Sequence, residues 1–229
     1  MARQLYELCG TDPARIFSPY CWRSRMALAH KGLDFESLPW RFTETDRLAF
    51  ASHDKVPVLV DGPKVVADSW EIALHLDAAY PDRPSLMRGN PAPYRLVAAW
   101  NDAVVQAGIA RLVVSDIAPL LGDADRAYFV TSREKRFGMP LVQVTADRAA
   151  RLPAFREALH PLRMVVRSQA FLGGETPDYA DMIVFGSFMW ARTVSDFALL
   201  DAGDAVHGWR ERMLDLHGAM ARQAPHFGA

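Results

Sequence analysis

The chain has 229 residues, half of them hydrophobic, and its 26 basic and 27 acidic residues give a formal net charge of −1 at pH 7. This length suits one large domain or two modest ones, and the balanced charge disfavours nucleic acid or a membrane surface as the main partner. Two cysteines, Cys9 and Cys21, exclude a disulfide framework and fit a reducing compartment. The first ten residues lack the pattern of a secretory signal, and no apolar run approaches the roughly 20 residues that span a bilayer. We therefore expect a soluble, cytoplasmic protein.

The first eighty residues alternate between strand and helix signals. Four segments have the composition of short strands: 4–9, 34–38, 56–60 and 64–67. Between the first two, apolar periodicity predicts a helix over residues 18–31 that stops at Gly32. After the last, Asp68 followed by Glu71 has the spacing of a capping box and opens another helix. The order β-α-β, a variable stretch and β-β-α is that of a thioredoxin-like α/β domain.

The rest of the chain has a different pattern. Residues 81–93 contain four prolines and one glycine, which is typical of a linker. Beyond them the strand signals nearly vanish, and helical patterns cover residues 94–114, 147–167 and 178–195. The last of these is apolar on most of its circumference, as in the buried spine of a helical bundle. The predicted organisation is a thioredoxin-like domain at 1–81, a linker at 82–93 and an all-helical domain at 94–229.

A serine and a proline stand at the start of the first predicted helix. Ser18 is a good N-cap residue and Pro19 suits the first helical position, so capping alone explains the pair. A helix N-terminus also favours an anion, so a ligand thiol lying there would be stabilised as its thiolate by a hydrogen bond from Ser18. Lowering the pKa of a free thiol by about two units requires roughly 2.7 kcal/mol, which one charge-assisted hydrogen bond and a helix terminus can supply.

Cys21 follows Ser18 at the spacing of a Cys-x-x-Cys redox pair whose first cysteine is replaced by serine. Without a nucleophilic thiol at position 18 the dithiol cycle is not available, which disfavours a disulfide reductase. We expect Cys21 to be a small packed apolar residue.

Two further segments have both a structural and a functional interpretation. Pro57 within a predicted strand fits either an edge strand or a cis Val56–Pro57 bond that frees the Val56 backbone to pair with an extended peptide. Asp68 and Ser69 fit either a plain helix cap or a site for a carboxylate and an amino group at the helix start.

Because these segments occur in this order and at these separations, the chain resembles the serine-type members of the glutathione transferase superfamily over essentially its full length. The resemblance implies glutathione as co-substrate, no metal ion, a homodimer and a detoxifying transferase activity. It makes Ser18 the thiolate-stabilising serine. It also implies five glutathione-binding residues: Lys55, Val56, Pro57, Asp68 and Ser69. The segment from Asp178 to Asp181 resembles the capping box of the central helix in the family's C-terminal domain.

A finer resemblance is to the bacterial glutathione-dependent β-aryl etherases and the related fungal etherase-like (FuA-type) transferases. It is carried by residues 18–23, 68–73 with the bulky Trp70, 80–84, 171–174 and 185–192. It implies attack of the glutathione thiolate on a small apolar or aromatic electrophile, including cleavage of a β-aryl ether. The alternative is a non-catalytic glutathione transferase-like protein that binds aromatic ligands.

The co-substrate pocket is predicted to include Tyr20, which stands beside Ser18, and Trp100 and Tyr128 from the helical domain. Most other aromatic residues of that domain are expected to be core. The seven histidines form no close ligand pair, which gives no support to a metal site.

Overall fold

The structure is a computed structural model that describes residues 3–227. A mixed sheet forms from four short strands: β1 (Arg3–Leu8), β2 (Phe35–Trp40), β3 (Val58–Asp61) and β4 (Lys64–Ala67). Their order is β2-β1-β3-β4, with β1 parallel to β2 and antiparallel to β3. Helix α1 (Pro19–His30) connects β1 to β2, and helix α2 (Ser69–Ala79) follows β4. The predicted thioredoxin-like fold class is confirmed.

The described residues of the second part of the chain are mainly helical. Its α-helices are α3 (Ala92–Trp100), α4 (Ala107–Val113), α5 (Asp123–Phe137), α6 (Leu141–Val144), α7 (Arg148–Ala158), α8 (His160–Ser168), α9 (Tyr179–Val194) and α10 (Ala205–Gln223). A π-helical segment, Asn101–Gln106, joins α3 to α4, and α10 leaves helical geometry at residues 216–219. The all-helical architecture is confirmed, although the sequence did not indicate α5 or α10.

Helix α9 is the spine of the helical part, as its composition predicts. All of its residues are buried except Trp190 and Arg192. It begins with a complete capping box in which Asp178 and Asp181 exchange side-chain and backbone hydrogen bonds. This confirms the capping box expected from the sequence.

Helices α1 and α9 lie against each other and join the two parts of the molecule. At their crossing a Cβ added to Gly186 would collide with the carbonyl oxygen of Pro19, so only glycine allows this approach. Beside it, the Tyr179 hydroxyl donates to the Ser69 carbonyl oxygen at 2.7 Å. Helix α9 therefore fixes the N-terminal ends of both α1 and α2.

The predicted linker is anchored to both parts. Leu86 and Met87 are buried, and their backbone N–H groups donate to the Asp77 carboxylate at 2.8 and 2.9 Å. The Leu86 carbonyl oxygen accepts from Tyr179 N at 2.9 Å. Helix α3 starts at Ala92, two residues before the predicted boundary, and the outer limits of the predicted domains, residues 1 and 229, lie outside the described residues.

One helical stretch, Ala92–Leu120, is long and apolar enough to cross a membrane when judged by length and composition alone. It consists of α3, the π-helical segment, α4 and the short 3₁₀ segment Val114–Leu120. A third of its most apolar window is buried. A single stretch of this kind is weak evidence for a membrane span, and here it packs against α9 and α7.

Candidate functional site

A cavity of about 330 Å³ lies between the two parts of the molecule. On the α/β side it is lined by the end of β1, the start of α1 and the loop that precedes β3. On the helical side it is lined by the π-helical segment, α4, α5 and Trp190 of α9. Aromatic and aliphatic side chains form most of the wall.

Strand topology brings the predicted residues to one end of the sheet. Strand β3 runs antiparallel to β1 with Val58 opposite Tyr6, so β3 starts where β1 finishes. Strand β4 pairs Ala67 with Val58, and Asp68 N donates to the Pro57 carbonyl oxygen at 3.1 Å. The starts of α1, β3 and α2 therefore gather at the same edge.

Ser18 is the N-cap of α1 and lines the cavity. It is 5% exposed, and its Oγ accepts a hydrogen bond from Cys21 N at 3.3 Å. Within residues 3–227 the hydroxyl donates to no acceptor, so its proton is free to point toward a bound ligand. The cap and the anion-binding interpretations are thus compatible, because capping uses the oxygen lone pair and leaves the O–H donor.

Both cysteines are buried, and neither forms a disulfide. Burial raises the pKa of the Cys21 thiol to about 12 and that of the Cys9 thiol to about 11, so neither is a thiolate at neutral pH. Leu8 N donates to Cys21 Sγ at 3.5 Å. The prediction that Cys21 is a packed residue is confirmed.

The Val56–Pro57 peptide bond is cis. Strand β3 starts at Val58, two residues after the predicted start, because Pro57 has no N–H to donate to the sheet. Within the described chain, the backbone N–H and C=O of Val56 have no backbone partner. Lys55 and Val56 both line the cavity.

Asp68 and Ser69 start helix α2 next to Pro57. The Asp68 carboxylate accepts from Trp70 N at 2.7 Å and Glu71 N at 3.4 Å, so this side chain acts as a helix cap. Ser69 is 2% exposed, and its hydroxyl makes no hydrogen bond within residues 3–227. Pro57, Asp68 and Ser69 lie beside the cavity's α/β wall without lining it.

Two of the three predicted co-substrate residues line the cavity, and one does not. Tyr20 and Tyr128 are in its wall, whereas Trp100 is half-buried against the hydrophobic core. The Tyr20 hydroxyl accepts from Gln106 Nε2 at 3.2 Å, and the Arg23 guanidinium lies 4.5 Å from the centre of its ring.

Several lining residues were not anticipated. Phe42, in the stretch between β2 and β3, has its ring centre 5.8 Å from Tyr128 and 5.7 Å from Phe129. Arg133 and Arg136 of α5 also line the cavity. The sequence signal for α5 was a short apolar run, Tyr128, Phe129 and Val130, in a segment that is otherwise rich in charged residues.

No group of three histidine, cysteine or acidic side chains suited to hold a metal ion occurs in residues 3–227. The cavity wall offers hydroxyl, amide, carboxylate, ammonium, guanidinium and aromatic groups among the residues described here.

Similarity to known proteins was found at three levels. Family models described as the glutathione S-transferase N-terminal and C-terminal domains match residues 17–79 and 94–213. The glutathione S-transferase-like protein ustS of Aspergillus flavus is 31% identical over 137 residues, which cover 54% of this chain and 49% of that protein. The chain thus matches about half the length of this curated relative.

Two solved structures are similar over nearly the whole chain. Glutathione transferase GSTFuA3 from Phanerochaete chrysosporium superposes with a TM-score of 0.77 at 22% identity, covering 97% of this chain and 94% of that one. The glutathione S-transferase CsGST83044 of Ceriporiopsis subvermispora, in complex with glutathione, gives a TM-score of 0.83 at 20% identity, covering 95% and 98%. At these identities the likeness shows the fold.

The C-terminal family model alone spans just over half of the chain, and the chain therefore belongs to the glutathione S-transferase family.

Proposed function

We propose that the protein is a serine-type glutathione transferase that activates the glutathione thiolate for attack on a small apolar or aromatic electrophile. The observation that carries this proposal is the Ser18 hydroxyl, which caps α1 with its oxygen and keeps its proton free at the wall of a cavity between the two domains. A thiolate at that point would receive a charge-assisted hydrogen bond and the positive end of the α1 dipole.

The same edge of the sheet offers a place for the rest of glutathione. An extended peptide can pair with the free backbone groups of Val56, with Lys55 beside it. The N-terminus of α2 and the Ser69 hydroxyl suit the γ-glutamyl carboxylate, since both are hydrogen-bond donors and the helix end favours an anion. Asp68 already caps α2, so only its second carboxylate oxygen is available for the α-amino group.

Replacement of Ser69 by alanine should weaken glutathione binding by about 10- to 100-fold, because a hydrogen bond to a charged carboxylate is lost. Isothermal titration calorimetry measures this directly. Ser168→Ala is the matched control, since that exposed hydroxyl bonds only to the Val165 carbonyl oxygen of its own helix. Equal affinities for the two variants would remove Ser69 from the site.

For the electrophile, we propose an aromatic compound, including a β-aryl ether. With an aryl ether the glutathione sulfur forms a C–S bond, the C–O bond breaks, and the electron pair leaves with the phenoxide, which takes a proton from solvent. The aromatic walls formed by Tyr20, Phe42, Tyr128 and Phe129 support such a substrate.

The test is a turnover screen with glutathione against generic electrophiles and β-aryl ether model compounds. Release of the phenol or disappearance of the electrophile supports the proposal. The same aromatic cavity also suits a carrier of aromatic ligands without catalysis. A ligand-induced fluorescence change in the absence of any turnover across the screen would favour that second function.

We further propose a homodimer and a cytoplasmic location. The dimer is inferred from the family, and the location is supported by two free, buried cysteines. Light scattering at micromolar protein concentration should give twice the chain mass of 25.6 kDa. A mass equal to a single chain would contradict the dimer.

A further inference from the structure

Arg133 occupies an unusual position in the cavity wall. Its guanidinium carbon lies 5.1 Å from the ring centre of Phe129 and 5.7 Å from that of Phe42, so the cation is set among aromatic rings. The residue is half-buried, and burial lowers the pKa of its guanidinium below the ordinary value. The group nevertheless stays charged at neutral pH, because an arginine side chain is effectively always protonated.

No acidic group in residues 3–227 lies within 4.0 Å of the Arg133 guanidinium, and its one hydrogen bond there goes to the neutral Ser132 hydroxyl at 2.9 Å. Other arginines of the helical domain do have such partners: Arg148 contacts Asp116 at 2.7 Å and Arg163 contacts Asp204 at 2.8 Å. Burying a cation without a counter-ion costs free energy unless a ligand supplies one.

The acids that line the cavity do not fill this role. Asp102 is already paired with Arg23 at 2.6 Å. Asp54 is exposed and belongs to the loop next to Lys55, on the α/β side. Arg136 stands three residues after Arg133, on the same face of α5, and also lines the cavity. The helical side of the cavity therefore has two positive charges, and among the described residues the one acid that lines this side, Asp102, is already paired with Arg23.

We propose that the co-substrate is an aromatic electrophile that carries an anionic group such as a carboxylate, with Arg133 as its counter-ion. This rests on the proposed transferase function and names its substrate class. The ring of such a compound would pack against Phe42 and Phe129, while its anion meets the guanidinium beside these two rings. The carboxylates of glutathione have other donors, at Ser69, Lys55 and the start of α2.

The proposal is tested with two fluorescent probes that differ by one anionic group: anilinonaphthalene sulfonate and the neutral N-phenylnaphthylamine. Each is titrated into the full-length parent, Arg133→Gln, Arg133→Lys and Lys135→Gln. The last is the matched control, because Lys135 is an exposed cation on the same helix that does not line the cavity. Thermal unfolding of each variant confirms that it is folded.

Arg133→Gln should weaken binding of the sulfonate probe by about 10- to 100-fold and binding of the neutral probe by less than about 3-fold. Arg133→Lys should retain most of the preference for the sulfonate probe over the neutral probe. Lys135→Gln should change the affinity for neither probe, and the affinity for glutathione should be the same in all four proteins. Equal losses for both probes, an equal effect of Lys135→Gln, or weaker glutathione binding by Arg133→Gln would each overturn the proposal. Because these readouts need no turnover, they are independent of the turnover screen that tests the transferase function.

Discussion

Asp181→Ala is expected to lower the free energy of unfolding by about 3–5 kcal/mol. The Asp181 carboxylate is fully buried and accepts four hydrogen bonds: from Leu172 N at 2.7 Å, Gly173 N at 2.9 Å, Asp178 N at 3.1 Å and Trp209 Nε1 at 2.7 Å. Burial raises the pKa of this carboxyl, and the four donors counteract that rise by stabilising the ionised form. Truncation leaves all four buried donors without a partner.

Urea unfolding followed by circular dichroism measures this loss. Asp215→Ala is the matched control, because Asp215 is an exposed carboxylate on α10 whose ion pair with Arg222 is worth no more than about 1 kcal/mol. Similar unfolding midpoints for the two variants would contradict the structural role of Asp181. A large difference would show that one side chain ties together the start of α9, the preceding loop and α10.

Ser18→Ala is expected to reduce glutathione-dependent turnover near neutral pH by about 10- to 100-fold, because one hydrogen bond to a charged acceptor is lost. Glutathione affinity should change little, since the contacts proposed for Ser69 and Val56 remain. The variant also loses the cap on Cys21 N, which should cost about 1 kcal/mol of stability. Activity is therefore measured well below the unfolding temperature, as kcat and KM separately.

Ser18→Cys tests whether position 18 faces the glutathione sulfur, because it replaces the hydroxyl by a reactive thiol. It places a thiol at the start of α1, where a thiolate is favoured, and restores the Cys-x-x-Cys spacing with Cys21. When this variant is incubated with glutathione disulfide, we expect the new thiolate to attack the disulfide, release one glutathione thiolate and form a mixed disulfide, with a gain of thiol-exchange activity. Mass spectrometry detects the adduct, and its absence would argue that position 18 does not face the glutathione sulfur.

The features that could be predicted from the sequence are local ones. The cap at Ser18, the stop at Gly32 and the capping box of Asp178 and Asp181 depend on residues a few positions apart, so their patterns are visible in one dimension. The fold class followed because these signals, taken in order, match one domain architecture.

The co-substrate side of the cavity could not be predicted in the same way. Nearly half of the side chains of helix α5 are charged, and only Asp125 and Phe129 are buried, so its apolar periodicity is weak. Phe42 acquires its place through contacts with that helix and with Phe17, which is distant in sequence. The π-helical segment after Trp100 shifts the phase of the following helix, and this changes which face meets the cavity. These are tertiary effects without a local signature.

The central claim is that Ser18 stabilises the thiolate of bound glutathione, and the most direct test is a pH titration of thiolate absorbance in the protein–glutathione complex. The parent is expected to show a thiol pKa about two units below the value of about 8.5 for a free thiol. In Ser18→Ala that pKa should rise by about one to two units. If the two titration curves coincide, Ser18 is only a helix cap and the thiolate is stabilised by other groups.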